Sequence, residues 1–253
     1  MDLPRYNVLG VGIHAVNLAS ATDYVVTSAQ SRRAGYVCCC DAHSISQARR
    51  ISAHRHILNH ALLATPDGMP LVWTGRRSGY PQVGRTYGPD LLQSICAATA
   101  KTSLSHYVYG GTDGVAAELA ERLKQKFPDL TITGTETPDW VEDAKDLSTD
   151  KIISAHADFV WVGLSTPKQE AFMDHLHGSI GFTGISLGVG AAFDFLTDRV
   201  TQAPRWVQRS GGEWLWRMAQ EPRRLVPRYF GMLPVFGLRL LAQRTGLKRY
   251  PLD

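Results

Sequence analysis

The strongest constraint on this chain is a rhythm in which short apolar runs alternate with longer segments of helical period. The runs cover residues 8–11, 36–40, 107–109, 130–133, 159–162 and 185–187. Runs of that length, separated by room for a helix, predict an α/β domain: a mostly parallel, Rossmann-like sheet flanked by helices. Between the third and fourth runs Val115, Leu119, Leu123 and Phe127 recur at helical spacing, with Glu118, Glu121, Arg122 and Lys124 between them. That pattern is an amphipathic helix, and Pro128 ends it. With 253 residues, 44% apolar and 20% charged, the chain can bury one large core and is neither disordered nor fibrous.

One composition shift falls near residues 197–204. It divides the chain into a catalytic body, residues 1–200, and a C-terminal appendage, residues 201–253. From residue 199 onward there are 11 Lys and Arg against 3 acids, whereas residues 1–198 carry 16 against 20, so the net charge of +4 hides a basic tail on an acidic body. A tail of that kind meets an anionic surface, either phospholipid or nucleic acid. Pro204, Pro222, Pro227 and Pro234, with Gly211, Gly212, Gly231 and Gly237, are expected to break it into short amphipathic helical pieces. The apolar run at residues 229–241 is then too short to span a bilayer and is expected to lie on one. No run of 18 uncharged apolar residues and no secretory leader is visible, so neither export nor membrane spanning is expected. Four cysteines, three of them consecutive at Cys38, Cys39 and Cys40, make no spaced disulfide framework and fit a reducing compartment.

Chemistry is expected where the runs end, because ligands of parallel sheets bind beyond the carboxyl ends of the strands. Gly110 and Gly111, in Tyr109-Gly110-Gly111-Thr112-Asp113-Gly114, sit at such an end just before a helix, where backbone N–H groups can hold a phosphate or sugar. Equally, they suit a tight turn that needs small residues. Asp67 lies in an Asp-Gly turn after an apolar helical stretch at residues 57–63, and Arg85 precedes Pro89, a first-helical-position proline. Lys168 and Gln169 follow Ser165-Thr166-Pro167 at the head of another helix, placed either to cap it or to touch a nucleotide or sugar. Residues 188–195, ending in Asp194-Phe195, bring small side chains to the same edge. The chain has no G-x-S-x-G elbow, no phosphate-binding G-x-x-x-x-G-K-[ST] loop, no zinc spacing and no D-x-D pair, so no metal site is expected. His54, His56 and His60 read as a solvated helical face.

Taken in order, Thr65-Pro66-Asp67-Gly68, Arg85-Thr86-Tyr87-Gly88-Pro89-Asp90-Leu91, Tyr109-Gly110-Gly111, Trp161-Val162-Gly163-Leu164-Ser165-Thr166-Pro167-Lys168-Gln169-Glu170, Gly188-Val189-Gly190-Ala191-Ala192-Phe193-Asp194, Gln202-Ala203-Pro204-Arg205-Trp206, Glu213-Trp214-Leu215 and Glu221-Pro222-Arg223-Arg224-Leu225 resemble the WecG/TagA/CpsF glycosyltransferases, glycosyltransferase family 26. The resemblance runs over residues 7–229. It implies an inverting transferase without cofactor, taking N-acetylmannosamine, its uronic acid or a glucose- or glucuronic-type sugar from a UDP-sugar donor. The acceptor it implies is a polyprenyl-diphosphate-linked saccharide in surface or exopolysaccharide assembly, at the cytoplasmic face of the membrane. It places the base on Asp67, the essential arginine on Arg85 and the active-site glutamine on Gln169. Family members commonly show Thr-x-Asn at the end of the second strand, where this chain has Cys39 and Asp41, so those two stand in for a hydroxyl and an amide as substrate contacts.

Such a transfer needs a base for the acceptor hydroxyl and positive charge for the departing diphosphate. Without D-x-D, the cations at hand are Arg85 and the tail arginines Arg205, Arg217, Arg223 and Arg224, with Lys168, Asp194, Gly110 and Gly111 as further substrate contacts. The expected partners are the UDP-sugar, the lipid-linked acceptor and an anionic membrane surface, and not nucleic acid; the oligomeric state is left open. A nicotinamide oxidoreductase is the rival enzyme, but it lacks the dinucleotide fingerprint and has only Glu136 as a ribose acid. A nucleic-acid-binding α/β protein is the non-enzymatic rival. It explains the basic tail and leaves the polar strand-end loops without a role.

Overall fold

The structure, a computed structural model, describes residues 3–252, without the side chains of Arg209, Arg224 and Arg228. A hairpin comes first, β1 (Arg5–Val8) and β2 (Val11–His14), closed by Leu9 and Gly10, both at positive φ. Helix α1 (Leu18–Gln30) follows, its first turn satisfied by Asn17, whose side chain accepts from the Ser20 N–H. Strand β3 (Gly35–Cys40) leads through α2 (Ala42–Ala48) and α3 (Ser52–His60) to β4 (Leu63–Pro66), and then come α4 (Met69–Arg77) and α5 (Gly88–Thr99). Next are β5 (Ser105–Gly110), α6 (Val115–Lys126) and β6 (Thr131–Glu136), followed by α7 (Asp150–Ser154), β7 (Phe159–Gly163), α8 (Lys168–Gly178), β8 (Ile185–Gly188) and α9 (Ala192–Leu196). The tail carries α10 (Arg205–Ser210), α11 (Glu213–Gln220) and α12 (Pro222–Arg244).

Six strands form one parallel sheet in the order β4-β3-β8-β7-β5-β6. The expected α/β architecture is therefore present, and both faces are covered, as a parallel sheet requires. Alternation along β3 shows the two layers: Tyr36, Cys38 and Cys40 pack with Phe172 and Met173 of α8 on one face, and Val37 packs with Val25 of α1 and Ile95 of α5 on the other. At the β4 edge the Ala64 N–H donates to His14 Nδ1 at 2.9 Å, so the hairpin satisfies a group that a bare edge would expose. Burial, reinforced by Arg5, lowers the His14 pKa to about 4, which keeps the ring neutral and able to accept.

Several sequence readings need correction. Residues 8–11 are the closing turn of the antiparallel hairpin and its flanks, outside the main sheet. The helical stretch read at residues 57–63 ends at His60, and Leu63 begins an extra strand, so Asp67 follows β4 directly. His54 is buried at 2% exposure rather than solvated, while His56 and His60 stack with ring centroids 3.8 Å apart. The tail starts as two short pieces, α10 and α11, but α12 is one helix of 23 residues that runs through Pro227 and Pro234, where breaks were expected. Its segment Leu225–Arg244 is long and apolar enough, by length and composition, to cross a membrane. Leu225, Met232 and Phe236 face the body and are buried, whereas Phe230, Leu238 and Leu241 on the opposite face are exposed.

Candidate active site

Five strands deliver polar or small residues to one cleft of about 400 Å³ beyond their carboxyl ends. Cys39 and Asp41 come from the end of β3, Asp67 from β4, Gly111 and Thr112 from β5, Ser165 and Thr166 from β7, and Gly190 from β8. The strand ends approach closely where they meet. A Cβ on Gly110, at φ +113°, would stand 2.6 Å from the Gly163 carbonyl oxygen, so this position is glycine for a packing reason. Gly111 lines the cleft and Gly110 lies one residue behind it.

Asp67 is held by its backbone. Its N–H donates to the Cys40 carbonyl at 2.9 Å, and Gly68 then caps α4. The neighbouring loop is pinned to the same strand end, because Thr86 N–H donates to the Pro66 carbonyl at 2.9 Å. Arg85 therefore lies across Asp67: Nε donates to its carbonyl oxygen at 2.6 Å and Nη2 to Oδ1 at 3.3 Å. The same Nη2 is 2.6 Å from Glu213 Oε2, at the start of α11, and the guanidinium carbon is 4.0 Å from the Tyr87 ring centroid. The three charged side chains are only 13–19% exposed. Burial pushes the Asp67 carboxyl up to about 7; Arg85 opposes the rise, and the charges of Asp41 and Glu213 add to it. An acid poised near neutrality can exist as base and as conjugate acid at physiological pH.

The second polar group is Gln169, first-turn residue of α8 and 3% exposed. Its Oε1 accepts from Gly190 N–H at 2.9 Å, which fixes the amide orientation and ties the β7 loop to the β8 loop. Gly188 makes room for it, since a Cβ there would meet Nε2 at 2.5 Å. Beneath it Glu170, 1% exposed, accepts from Thr166 Oγ1 at 3.0 Å, and burial pushes its carboxyl to about 7. Gln169→Ala is expected to lower stability by about 1–3 kcal/mol as well as slow turnover, because Gly190 N–H loses its buried acceptor. A melting temperature unchanged from wild type would mean that the bond from Gly190 N–H to Gln169 contributes nothing to the fold.

Asp41 also lines the cleft, but its side chain serves the local fold, since Oδ1 accepts from Ser44 N–H at 2.8 Å and caps α2. Cys39 lines it with a neutral thiol, pushed up by burial and by Asp67. Asp194 lines it from α9. Among the described tail arginines, Arg217, one turn beyond Glu213 on α11, lines the cleft; its guanidinium carbon lies 5.4 Å from the Phe195 ring centroid and its Nε is buried without a hydrogen-bond partner.

Other expected contacts lie elsewhere. Lys168 turns away, bonding to the Val141 carbonyl and approaching the Trp140 ring at 5.4 Å. Arg205 is exposed and 3.8 Å from Asp90, Arg223 is exposed, and the Arg224 side chain lies outside the described residues. Glu136, the oxidoreductase's ribose acid, is taken up on edge strand β6 by Tyr107 and Lys151. Sequence reasoning singled out neither Glu213 nor Glu170 as a site residue, although both stand inside quoted motifs.

The sequence model of the WecG/TagA/CpsF glycosyl transferase family matches residues 6–250. The chain is also similar to an N-acetylglucosaminyldiphosphoundecaprenol N-acetyl-β-D-mannosaminyltransferase of Bacillus spizizenii, 30% identical over 178 residues that cover 70% of this chain and 68% of the relative.

Proposed function

Because the chain belongs to the WecG/TagA/CpsF glycosyltransferase family, we propose that it moves an N-acetylmannosamine-type sugar from UDP onto a polyprenyl-diphosphate-linked saccharide, with inversion and without a metal. The observation that carries this reading is Asp67, which lines the strand-end cleft and is held from behind by Arg85. Asp67 takes the proton of the acceptor hydroxyl while its oxygen attacks the anomeric carbon from the face opposite UDP. The bond between that carbon and the diphosphate oxygen breaks, and its electron pair leaves with UDP. Arg217, which lines the cleft and whose Nε lacks a hydrogen-bond partner, supplies charge to the leaving diphosphate.

A lipid-linked acceptor is supported by the groove between α4 and α12, about 780 Å³ and walled by Trp73, Leu233, Phe236 and Leu240. Helix α4, whose Pro70 and Trp73 wall the groove, begins two residues after Asp67. Residues 201–253 thus act as a membrane-associating appendage that also completes the site, and the enzyme works peripherally at the cytoplasmic face.

The test is transfer by the full chain from UDP-N-acetylmannosamine to a prenyl-diphosphate-linked N-acetylglucosamine, with a panel of other UDP-sugars beside it. We expect a disaccharide lipid, formed at the same rate in EDTA. No product from any donor overturns the reading, and loss in EDTA restored by magnesium or manganese overturns its metal independence.

A further inference from the structure

Arg85 Nη2 faces two carboxylates at unequal distance, Glu213 at 2.6 Å and Asp67 at 3.3 Å. We propose that Glu213 is a positioning residue for the transfer: by holding the Arg85 guanidinium from the tail side, it keeps that cation from closing on Asp67 and so keeps Asp67 available as a base. The proposal rests on the reading of Asp67 as base and adds to it a control exerted by the tail.

The nearer carboxylate is the tail's, a close ion pair in which Glu213 Oε2 accepts no hydrogen bond, whereas Nη2 donates to Asp67 Oδ1, so charge attraction and hydrogen bonding pull the guanidinium in opposite directions. The pair is 18% and 13% exposed, so bulk salt screens it little. Glu213 is placed by docking. It opens α11 after Gly212, in the first turn where a carboxylate is favoured. The preceding Gly211, at φ +79°, sits against α4, where a Cβ would meet Trp73 at 3.1 Å and Met69 at 3.3 Å. The same helix begins directly after the Asp67 turn, so the tail and the base are referenced to one element. Once Glu213 is removed, its hold on Nη2 is lost, and a closer guanidinium stabilises the charged form of Asp67 and weakens it as a base.

The titratable and charged groups around Asp67 come from each neighbouring element. They are Cys39 and Asp41 at the end of β3, Arg85 and Tyr87 before α5, and Glu213 and Arg217 on α11. His43 and Asp194 share the cleft. Of these, Glu213 is the acid that contacts Arg85 directly beside Asp67 itself.

The experiment is the pH profile of kcat/KM for Glu213→Gln, together with a carbon-13 titration of the Asp67 carboxyl in the substrate-free chain. In the wild type the rate is expected to rise with pH through about 7, where Asp67 loses its proton. In Glu213→Gln the limb and the carboxyl titration both move down by about one pH unit, and the rate above the limb falls because the base is weaker. A variant slowed equally at every pH, with the limb and the titration unmoved, would make Glu213 a docking contact only and overturn the proposal. If the amide variant does not fold, Glu213→Asp, which retracts the carboxylate from Arg85, moves both in the same direction by less, and no movement again overturns it. Because the titration needs no substrate, the two readings fail separately. A chain that transfers nothing yet shows the titration shift loses the transferase reading and keeps the coupling, whereas transfer with no shift does the reverse.

Discussion

Asp67→Asn is expected to fold normally and to transfer sugar about 10²- to 10⁴-fold more slowly than the wild type. Asparagine matches the shape of aspartate, and Arg85 Nε donates at 2.6 Å to the backbone carbonyl of residue 67, which the substitution leaves in place. The loop should therefore hold its geometry, and what disappears is the proton acceptor. A second signature separates loss of a base from loss of binding. The wild-type rate should rise through about pH 7 as the carboxyl ionises, and the residual rate of the amide variant should be flat across that range. The measurement is kcat and kcat/KM from about pH 5.5 to about 9, on either side of the expected ionisation, beside thermal melts of both proteins. A wild-type rate, or a surviving acid limb near 7, would move the base elsewhere in the cleft.

The triple substitution Phe230→Glu, Leu238→Glu and Leu241→Glu should release the protein from anionic vesicles while leaving it folded. These side chains are 71%, 68% and 56% exposed. They recur at helical spacing on the side of α12 opposite Leu225, Met232 and Phe236, which hold the helix to the body. Burying one such group in an apolar phase is worth roughly 1.5–3 kcal/mol, and each added carboxylate is also repelled by an anionic leaflet. Losing three should weaken vesicle binding by roughly a thousandfold or more, as cosedimentation reads it. The point variants are better probes than deletion of the tail, because deletion would also uncover the core that Met232 and Phe236 cover. Vesicle binding equal to wild type would assign this face to another partner.

The sheet was legible because most of its strands are apolar on both faces, so that residues 36–40, 107–109, 159–162 and 185–187 announce themselves without any pattern of alternation. Strand β4 was not. Its Leu63-Ala64-Thr65-Pro66 holds a proline and only one large apolar residue, and it is a strand because it completes an edge whose free N–H is met by His14. Helix α12 was misread for the opposite reason. Proline deletes a bond to the carbonyl four residues back, and for Pro227 and Pro234 those carbonyls belong to the exposed positions Arg223 and Phe230, where a solvated or headgroup partner can replace the bond.

At the site, the strand-end rule found the loops and the resemblance found Asp67, Arg85 and Gln169. Neither gave side-chain direction. Lys168 begins the helix that carries Gln169, yet it points outward to the Val141 carbonyl while its neighbour points in. Glu213 could not be found from local pattern, since its meaning lies in Arg85, far away in the chain and brought to it by docking of the tail on α4.

The clasp between the two ends of the fold has a consequence for the order in which the molecule is made. Leu9 N–H bonds to Gln243 Oε1, Gln243 Nε2 to the Asn7 carbonyl, and Asn7 Nδ2 to the Tyr250 carbonyl, so the hairpin waits for a helix and residues synthesised after the whole sheet. Elongation at roughly 5–20 residues per second puts several seconds between the emergence of the last sheet strand and that of Tyr250. Until the tail emerges, a nascent chain holds Asp67 and Arg85 without Glu213 on the other side of the guanidinium, and the apolar side of the hairpin without its cover. Ribosomal pausing over residues 204–250 would lengthen that exposed stage, so codon usage in this segment should influence yield more strongly than codon usage in the body.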